Sequence, residues 1–433
     1  MHLLIKNCKS FAQIVIVVLS VSACCLLNTS KAQKTEAQKK DTVQPMDISD
    51  VFLKITKRKA DTLKLGKKTG IALLPSFGYN PSFGFIIGAK ISGGKQNGSP
   101  ENTIYSVYGL EGFYSSKGIK NVQFRHNLFT AQNRWNWQGN WQIARYGQVD
   151  YGLGTKKRAG GSGNGFNINE LPTKIADSAY PIKYTYLRLF EKLYRKIAQH
   201  WFVGAGININ MFSNIEEEKN TNLLGTPHKR YSLRNGFDTT GYSLNGFILT
   251  LQYNTREHPV RSYGGIYADL SFCFNPVWLG SNKQSLQLQY EFRKYWSLSK
   301  RNPEHVIALW HWASYELGGE LPYLGLPGTA SDTYGRSGRG YTLGYFKGPS
   351  YAYLESEYRF PILRNKFLSG VCFFNLQSAS DDNNTKVFDS WEPGGGVGLR
   401  VLFKKQGRIT LCADFAKGKY GSDGIFFGLN EVF

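Results

Sequence analysis

Hydrophobic and polar residues alternate along much of the chain from about residue 70 onward. In the clearest segment, Leu286, Leu288, Tyr290 and Phe292 alternate with Gln287, Gln289, Glu291 and Arg293. A period of two residues is that of a β-strand with one apolar and one polar face. Sixteen such segments follow one another between turn residues, the first at 70–74 and the last at 424–433. The pattern predicts an all-β protein, either a soluble sandwich or a transmembrane barrel.

The lengths of the connections favour the barrel. Long connections (147–182, 212–243, 317–348 and 378–393) take turns with short ones such as 130–133, 198–200 and 404–407. Long loops on one side of the membrane and short turns on the other are typical of bacterial outer-membrane barrels. The connection 93–102 departs from this rule. We therefore predict a 16-stranded antiparallel transmembrane β-barrel over residues 70–433.

A long apolar run lies near the N-terminus. Two lysines precede the apolar residues 11–27, and a Ser-Lys-Ala sequence follows at 30–32. This is the pattern of a secretory signal peptide, so we predict export and removal of residues 1–32. The alternative is a lipoprotein signal with lipidation at Cys24. No later segment approaches the length of a membrane-spanning helix.

Residues 33–69 form a polar, lysine-rich segment that we interpret as a periplasmic extension. Within it, Asp47 precedes Ile48, Val51, Phe52 and Ile55, which recur at helical spacing. Aspartate is a favoured residue immediately before a helix. The segment is therefore predicted to contain one short amphipathic helix.

The chain is strongly basic, with 53 Lys and Arg against 31 Asp and Glu and a formal net charge of +22. The basic residues are spread over strands, turns and loops without a nucleic-acid-binding motif, so nucleic acid is not a predicted partner. Outer-membrane lipids and the phosphates of lipopolysaccharide are the expected anionic partners. Cys273, Cys372 and Cys412 lie in separate predicted strands without metal-ligand spacing. Neither a metal site nor a cofactor is predicted.

The candidate functional residues lie in the glycine-rich connection 317–348 and in the strand after it. The connection carries Arg339-Gly340-Tyr341, and the strand carries Glu355 and Glu357 on one face. An arginine withdrawn from water requires a carboxylate partner, because an unpaired buried charge is costly. The alternative is a solvated loop arginine that pairs with nothing.

Three motifs in this region resemble the BamA/TamA superfamily of outer-membrane barrels. They are PYLGLPG, then GRGY, then a glycine-initiated strand ending in EYRFPI. In that superfamily the corresponding loop folds back into the barrel, and its arginine pairs with acids on the inner wall. The resemblance implies that Arg339, Gly340 and Tyr341 take the motif positions and that Glu357 takes the acidic position, with Glu355 in reserve. Gly338 replaces the usual aliphatic residue.

Asn375 stands where the next strand of the superfamily usually carries an aspartate. An amide accepts hydrogen bonds but supplies no charge, so we expect weaker retention of the loop than in relatives with two acids. The term loop lock is used below for Arg339, Gly340, Tyr341, Glu355, Glu357 and Asn375.

The predicted first and last strands are a second candidate site. Pro75 cannot donate to a β-ladder, and Gly424 and Gly428 weaken the last strand. A weak closure between these strands resembles the lateral gate of the superfamily. Alternatively, Pro75 only begins the first extracellular loop.

The C-terminal residues resemble the signal by which outer-membrane proteins are recognised for insertion. Phe433, Leu429, Phe427 and Ile425 share one face of the predicted last strand, with Glu431 interrupting the apolar series. The alternative is an ordinary edge strand that ends in phenylalanine.

The resemblance implies a role in inserting or translocating proteins or lipids at the outer membrane. Other outer-membrane proteins would be the clients. A periplasmic accessory protein is a further expected partner, because residues 33–68 are too short for the POTRA domain of the superfamily. A passive pore or structural barrel is the alternative, and an outer-membrane hydrolase is third. The motifs G-x-S-x-G and H-E-x-x-H are absent from the sequence, and we do not predict an enzyme.

Overall fold

The computed structural model describes residues 44–55, 72–80, 84–155, 180–217, 225–382, 385–405 and 407–433. All of these belong to one compact unit, Val43–Phe433. The predicted signal peptide, and with it Cys24, lies outside the described residues. Residues 33–43 and 56–71 of the predicted extension also lie outside them.

The described chain is built from β-strands that follow one another in a single sheet. The strands are β1 Ala72–Asn80, β2 Gly84–Lys95, β3 Ser106–Ser115, β4 Lys120–Phe129, β5 Trp135–Asp150, β6 Tyr180–Ala198, β7 Trp201–Glu217, β8 Tyr242–Asn254, β9 Gly265–Asn275, β10 Ser285–Ser297, β11 Val306–Gly319, β12 Ser350–Pro361, β13 Leu368–Ala379, β14 Glu392–Lys404, β15 Ile409–Gly418 and β16 Asp423–Leu429.

Each strand pairs antiparallel with its neighbour in sequence, from β1–β2 through β15–β16. The prediction of an all-β, antiparallel structure is therefore confirmed. β1 and β16 approach each other. Within the described ranges, no ladder joins these two strands.

The two faces of the sheet differ in chemistry, as the alternation of residues predicts. In β5, Trp135, Trp137 and Trp141 are exposed on one face, whereas Asn136 and Asn140 are buried on the other. We call the face that carries these asparagines the inner face and the opposite one the outer face. A strand with this division can separate lipid from a polar interior.

The four longest connections leave from one end of the sheet, as predicted, but the alternation of long and short is incomplete, because that end also has the short turns 116–119 and 419–422. Because the sheet is antiparallel, the connections 151–179, 218–241, 320–349 and 380–391 all leave from the same end. The opposite end carries shorter turns, for example 130–134 and 405–408.

The described residues include two short α-helices beside the strands. α1 is Ile48–Ile55 and α2 is Pro227–Arg234. Asp47 and Asp50 form two reciprocal hydrogen bonds at the start of α1. The Asp47 N–H donates to the Asp50 carboxylate at 3.0 Å, and the Asp50 N–H donates to the Asp47 carboxylate at 3.1 Å. The predicted short helix is thus confirmed. Neither helix of the described chain has the length and apolar character that crossing a bilayer requires.

Two predicted strand boundaries are wrong. The first strand runs to Asn80 rather than ending near residue 74, so Pro75 lies inside β1, where it pairs with Ala89 of β2. The last strand ends at Leu429 rather than at 433. Asn430 has a positive φ of 71°, which turns the chain out of the strand direction.

Candidate functional site

The connection between β11 and β12, residues 320–349, lies against the inner face of the sheet; we call it the inserted loop. Its residues Tyr345 and Phe346 are almost fully buried. Lys347 Nζ lies 3.1 Å from Asp150 Oδ1 at the end of β5. The amide nitrogen of Asn140 in β5 donates to the carbonyl oxygen of Thr333 at 2.6 Å. Both contacts fasten the loop to β5.

Arg339 is the centre of the site, and only 5% of its surface is exposed. Its guanidinium group donates to Glu355 and Glu357 on β12 and to Asp414 on β15, the last at 2.9 Å. The guanidinium carbon also lies 3.4 Å from the centre of the Phe373 ring. A planar fork of five N–H donors can serve several carboxylates at once, which an ammonium group cannot do with the same geometry.

Gly340 and Tyr341 help to position the arginine, Gly340 through its backbone and Tyr341 through its side-chain hydroxyl. Gly340 has a φ of 98°, and a Cβ atom there would lie 3.0 Å from the carbonyl carbon of Lys417. Its carbonyl oxygen accepts from the Ser422 hydroxyl at 2.7 Å. The Tyr341 hydroxyl donates to the carbonyl oxygen of Pro393 and accepts from the N–H of Lys419 at 2.9 Å.

Two glycines that we did not single out from sequence make room for the Tyr341 ring. A Cβ atom on Gly418 would lie 2.4 Å from Tyr341 Cζ, and one on Gly394 would lie 3.1 Å from the same ring. Any side chain at Gly418 would displace the ring. No sequence motif distinguishes these two glycines from the others in their strands.

Asn375 contacts the backbone rather than the charge of Arg339. Its side-chain N–H donates to the Arg339 carbonyl oxygen at 2.9 Å. An aspartate at this place could not donate that hydrogen bond, since an ionised carboxylate only accepts. The third carboxylate of the site comes from Asp414, two strands further along the sheet. Sequence reasoning missed Asp414, although it lies in an alternating strand between Cys412 and Ala416.

A second group of buried charges continues from Asp414 toward the short-turn end. Arg400 donates to Asp414 and, at 2.7 Å, to Glu431. Glu431 also lies 3.5 Å from Arg261, in the turn between β8 and β9. Arg359 donates to Glu357 at 2.8 Å. The charges alternate in sign along this series, so each carboxylate has a cationic neighbour.

The predicted seam residues lie on strands at the two edges of the sheet. Pro75 is exposed in the interior of β1, so the interpretation that it begins the first extracellular loop is wrong. A proline is tolerated on an edge strand because no partner is lost on the free side. Gly424 and Gly428 lie in β16 and pair with Ala416 and Cys412.

Three of the predicted C-terminal signal residues, Ile425, Phe427 and Leu429, share one face of β16, but Phe433 does not. Phe427 is 62% exposed, whereas Phe433 is only 2% exposed. After the turn at Asn430, Phe433 packs on the inner side, with its ring centre 5.3 Å from that of Trp310. The Arg359 guanidinium donates to a backbone oxygen of Phe433 at 2.7 Å. The predicted alternation therefore fails beyond Leu429.

A polar cluster that the sequence analysis did not identify lies on the outer face. The Glu191 carboxylate accepts from His126 at 3.0 Å and from the indole N–H groups of Trp137 and Trp141. Gly139 lies between these groups, and a Cβ atom there would lie 2.2 Å from the imidazole. The other ring nitrogen of His126 lies 3.3 Å from the Trp137 carbonyl oxygen. Both ring nitrogens are thus occupied, which does not favour acid–base chemistry.

Most of the sequence matches a known protein superfamily. The Omp85 superfamily domain matches residues 119–433. This chain belongs to the Omp85 superfamily. The resemblance to BamA/TamA proteins that the GRGY region predicts is thereby confirmed. No curated protein matches this Omp85 chain.

Solved structures resemble the fold at low sequence identity. CdiB from Escherichia coli is 10% identical with a TM-score of 0.53, and the match covers 84% of this chain and 62% of CdiB. BamA from Haemophilus ducreyi lacking POTRA domains 1–3 is 16% identical with a TM-score of 0.48, covering 84% and 70%. CdiB from Acinetobacter baumannii is 12% identical with a TM-score of 0.48, covering 84% and 60%. This Omp85 chain spans about three fifths of each CdiB.

Proposed function

We propose that this Omp85 protein helps to insert or translocate proteins or lipids at the bacterial outer membrane. In this proposal residues 1–32 direct export, and the sixteen strands close between β1 and β16 into a lipid-embedded barrel. The observation that carries the proposal is the retention of Arg339 by Glu355, Glu357 and Asp414 against the inner face. Membership of the superfamily supports the outer-membrane location.

The loop lock would keep the inserted loop against the inner face while the edge strands β1 and β16 separate and close again. Removing a cation from a group of buried carboxylates is costly, so the loop stays in place during a cycle of opening and closing. The edge strands β1 and β16, with Pro75, Gly424 and Gly428, are the proposed lateral seam, because proline and glycine weaken strand pairing.

Several partners follow from this role. Exposed aliphatic and aromatic side chains on the outer face, such as Ile143, Leu249 and Phe415, would contact membrane lipid. Basic loops at the long-connection end would contact lipopolysaccharide phosphates. Client proteins would enter from the periplasm with the help of an accessory protein. No catalytic activity is proposed.

The test is depletion of the protein followed by measurement of other outer-membrane proteins in the membrane fraction. We expect several of them to fall, and we expect unmodified protein to restore them. Arg339→Ala should fail to restore them at equal abundance. Arg301→Ala is the matched control, because Arg301 is an exposed arginine in the turn between β10 and β11. Unchanged levels after depletion would count against the proposal.

A passive pore or static structural barrel is the second candidate. It is favoured by the tight packing of Tyr345 and Phe346, which belong to the inserted loop, because a tightly packed loop suits a barrel that does not change. Under this alternative, Arg339→Ala would raise conductance in planar bilayers while leaving the other outer-membrane proteins at normal levels.

A further inference from the structure

A polar cavity lies between the inserted loop and the inner faces of β3 to β8, β10, β11 and β16. Its volume is about 370 Å³. This lies within the range of pockets that hold small molecules, about 300 to 1,000 Å³. Arg339 and Tyr341 of the loop lock also line the cavity, whereas the carboxylates that bind Arg339 lie on β12 and β15 and are not part of its wall.

The cavity concentrates positive charge that its acidic groups offset only in part. Arg339, Arg359 and Arg400, also buried on the inner face, each have carboxylate partners. Arg125, Arg188 and Arg336 line the cavity, and in the described part of the chain none of the three has a carboxylate within 4.0 Å. Burial is costly for such cations, so an anion would be favoured in the cavity.

The three guanidinium groups line one cavity, and those of Arg125 and Arg336 lie close enough to repel each other. Burial and the neighbouring cations Arg125 and Arg293 lower the pKa of Arg336 to about 10. Arg125 and Arg188 both lie close enough to influence the Tyr146 hydroxyl electrostatically. Like charges brought together repel one another, and a bound anion would relieve that repulsion.

The acidic groups of the cavity wall have other partners. Glu111 forms an ion pair with Lys90 at 3.0 Å. Asp332 accepts the backbone N–H groups of Tyr334, Arg336 and Ser337. Both carboxylates also interact electrostatically with Arg336, and Glu111 with Arg125, so they offset the positive charge of the cavity in part.

The rest of the wall offers amides and flat rings. Asn121 pairs with Gln142 at 2.7 Å and Gln123 with Asn140 at 2.8 Å, which places four amides side by side across β4 and β5. An amide side chain both donates and accepts, which matches the hydroxyl groups of a sugar. Trp312 adds an aromatic surface to the wall.

We propose that this cavity binds a small anionic saccharide, one or two sugar rings that carry a carboxylate or a phosphate. The arginines would bind the anionic group, and the amides would bind the hydroxyls. Charge-assisted hydrogen bonds from arginine to carboxylate or phosphate are strong and directional, so they would fix the ligand's orientation. The inference goes beyond the proposed role in assembly, because binding can be measured on the purified protein alone.

The test is titration calorimetry on the full protein in detergent. The probes are digalacturonate, glucose 1-phosphate, neutral maltose and a tetra-aspartate peptide. We expect at least one anionic sugar to bind, with maltose and the peptide each at least about tenfold weaker. Binding of maltose equal to that of the anionic sugars would overturn the assignment of charge. Equal binding of the peptide would overturn the assignment of a saccharide, and no binding by either anionic sugar would overturn both.

Variants locate the site. Arg188→Gln should weaken binding about tenfold or more, the scale of losing a hydrogen bond to a charged group. Arg195→Gln is the matched control, because Arg195 lies on the same strand, β6, but on the outer face against Trp135. Arg188 has no ion pair within the described residues, so replacing it leaves no carboxylate without a cationic partner. If both variants bind the sugar equally, the site is not this cavity. Equal thermal unfolding of the two variants checks that both are folded.

Discussion

At the scale of single residues, the site is dominated by one guanidinium group that serves three carboxylates. The pairing of Arg339 with Glu355 and Glu357 could be anticipated from the alternation of β12 and from the loop motif. Asp414 could not, because it comes from a strand that pairs with β14 and β16 and has no sequence motif of its own. Glu431 was misplaced for a different reason, since the turn at Asn430 reverses which face the following residues occupy.

Replacing Arg339 with alanine should destabilise the protein by about 3 to 5 kcal/mol, because three buried carboxylates lose their shared cation. The free energy of unfolding can be measured by urea titration in detergent micelles. Arg301→Ala, an exposed site, should change it by less than about 0.5 kcal/mol. Equal effects of the two changes would show that the pairing of Arg339 contributes nothing to stability.

Replacing Glu191 with alanine should destabilise the outer face by about 1 to 3 kcal/mol, because His126, Trp137 and Trp141 lose their common acceptor. Glu191→Gln should cost less, since its amide oxygen still accepts. Urea unfolding followed by tryptophan fluorescence is the measurement. Leu193→Ala, on the same strand and face, is the control for lost lipid contact. A loss no larger than that of this control would contradict the prediction.

At the scale of elements, the strands follow the sequence pattern closely, and the ends do not. Period two in residue polarity is sufficient to place a strand, but the end of a strand depends on local backbone geometry. β1 continues through Pro75 because an edge tolerates proline, and β16 stops at Leu429 because Asn430 adopts a positive φ. The contacts of the turn 255–264 could not be predicted from local sequence either, because its partners lie in turns that are distant in sequence.

The turn 255–264 packs against neighbouring turns at the same end of the sheet through buried polar groups. The His258 imidazole stacks on Tyr105, with ring centres 5.6 Å apart. Its Nδ1 accepts from the N–H groups of Val260 and Arg261, each at 3.3 Å. Burial, together with Arg408 and Arg256, lowers the pKa of His258 from 6.5 to about 3. The imidazole is therefore neutral in the folded protein at physiological pH.

The depressed pKa predicts a loss of stability in mild acid. Between pH 6.5 and about 3 the unfolded chain binds a proton at His258 that the folded chain does not, so stability falls as the pH falls. The slope approaches about 1.4 kcal/mol per pH unit below pH 6. Urea unfolding at pH 7 and pH 5 measures it. His258→Gln removes this titration, and a variant with the same pH dependence as the original protein would refute the assignment.

At the scale of the whole molecule, the order of strands follows the chain, so neighbouring strands are neighbours in sequence except at the contact of β1 with β16. The sequence could predict the antiparallel order, because alternation and connection length are local. It could not predict the fit of the inserted loop to the inner face, which depends on small residues such as Gly394 and Gly418 in strands far from the motif.

Replacing Gly428 with alanine should stiffen the proposed seam. A Cβ atom at Gly428 would meet nothing within 4 Å, so the change should stabilise β16 by about 0.5 to 1 kcal/mol. If the seam must open in function, the same variant should slow outer-membrane protein assembly while raising the unfolding midpoint. Gly396→Ala is the contrasting control, because its Cβ atom would lie 2.0 Å from the Phe415 carbonyl oxygen. Greater stability with unchanged assembly would argue against a moving seam.

The inward course of residues 430–433 has a consequence for the order in which the protein matures. Arg336 of the inserted loop donates to the carbonyl oxygens of Glu431 (2.7 Å) and Val432 (3.2 Å). These hydrogen bonds join the middle of the polypeptide to residues synthesised about a hundred positions later. The loop can make these hydrogen bonds only after residues 430–433 have turned inward, so we expect the interior to be completed last.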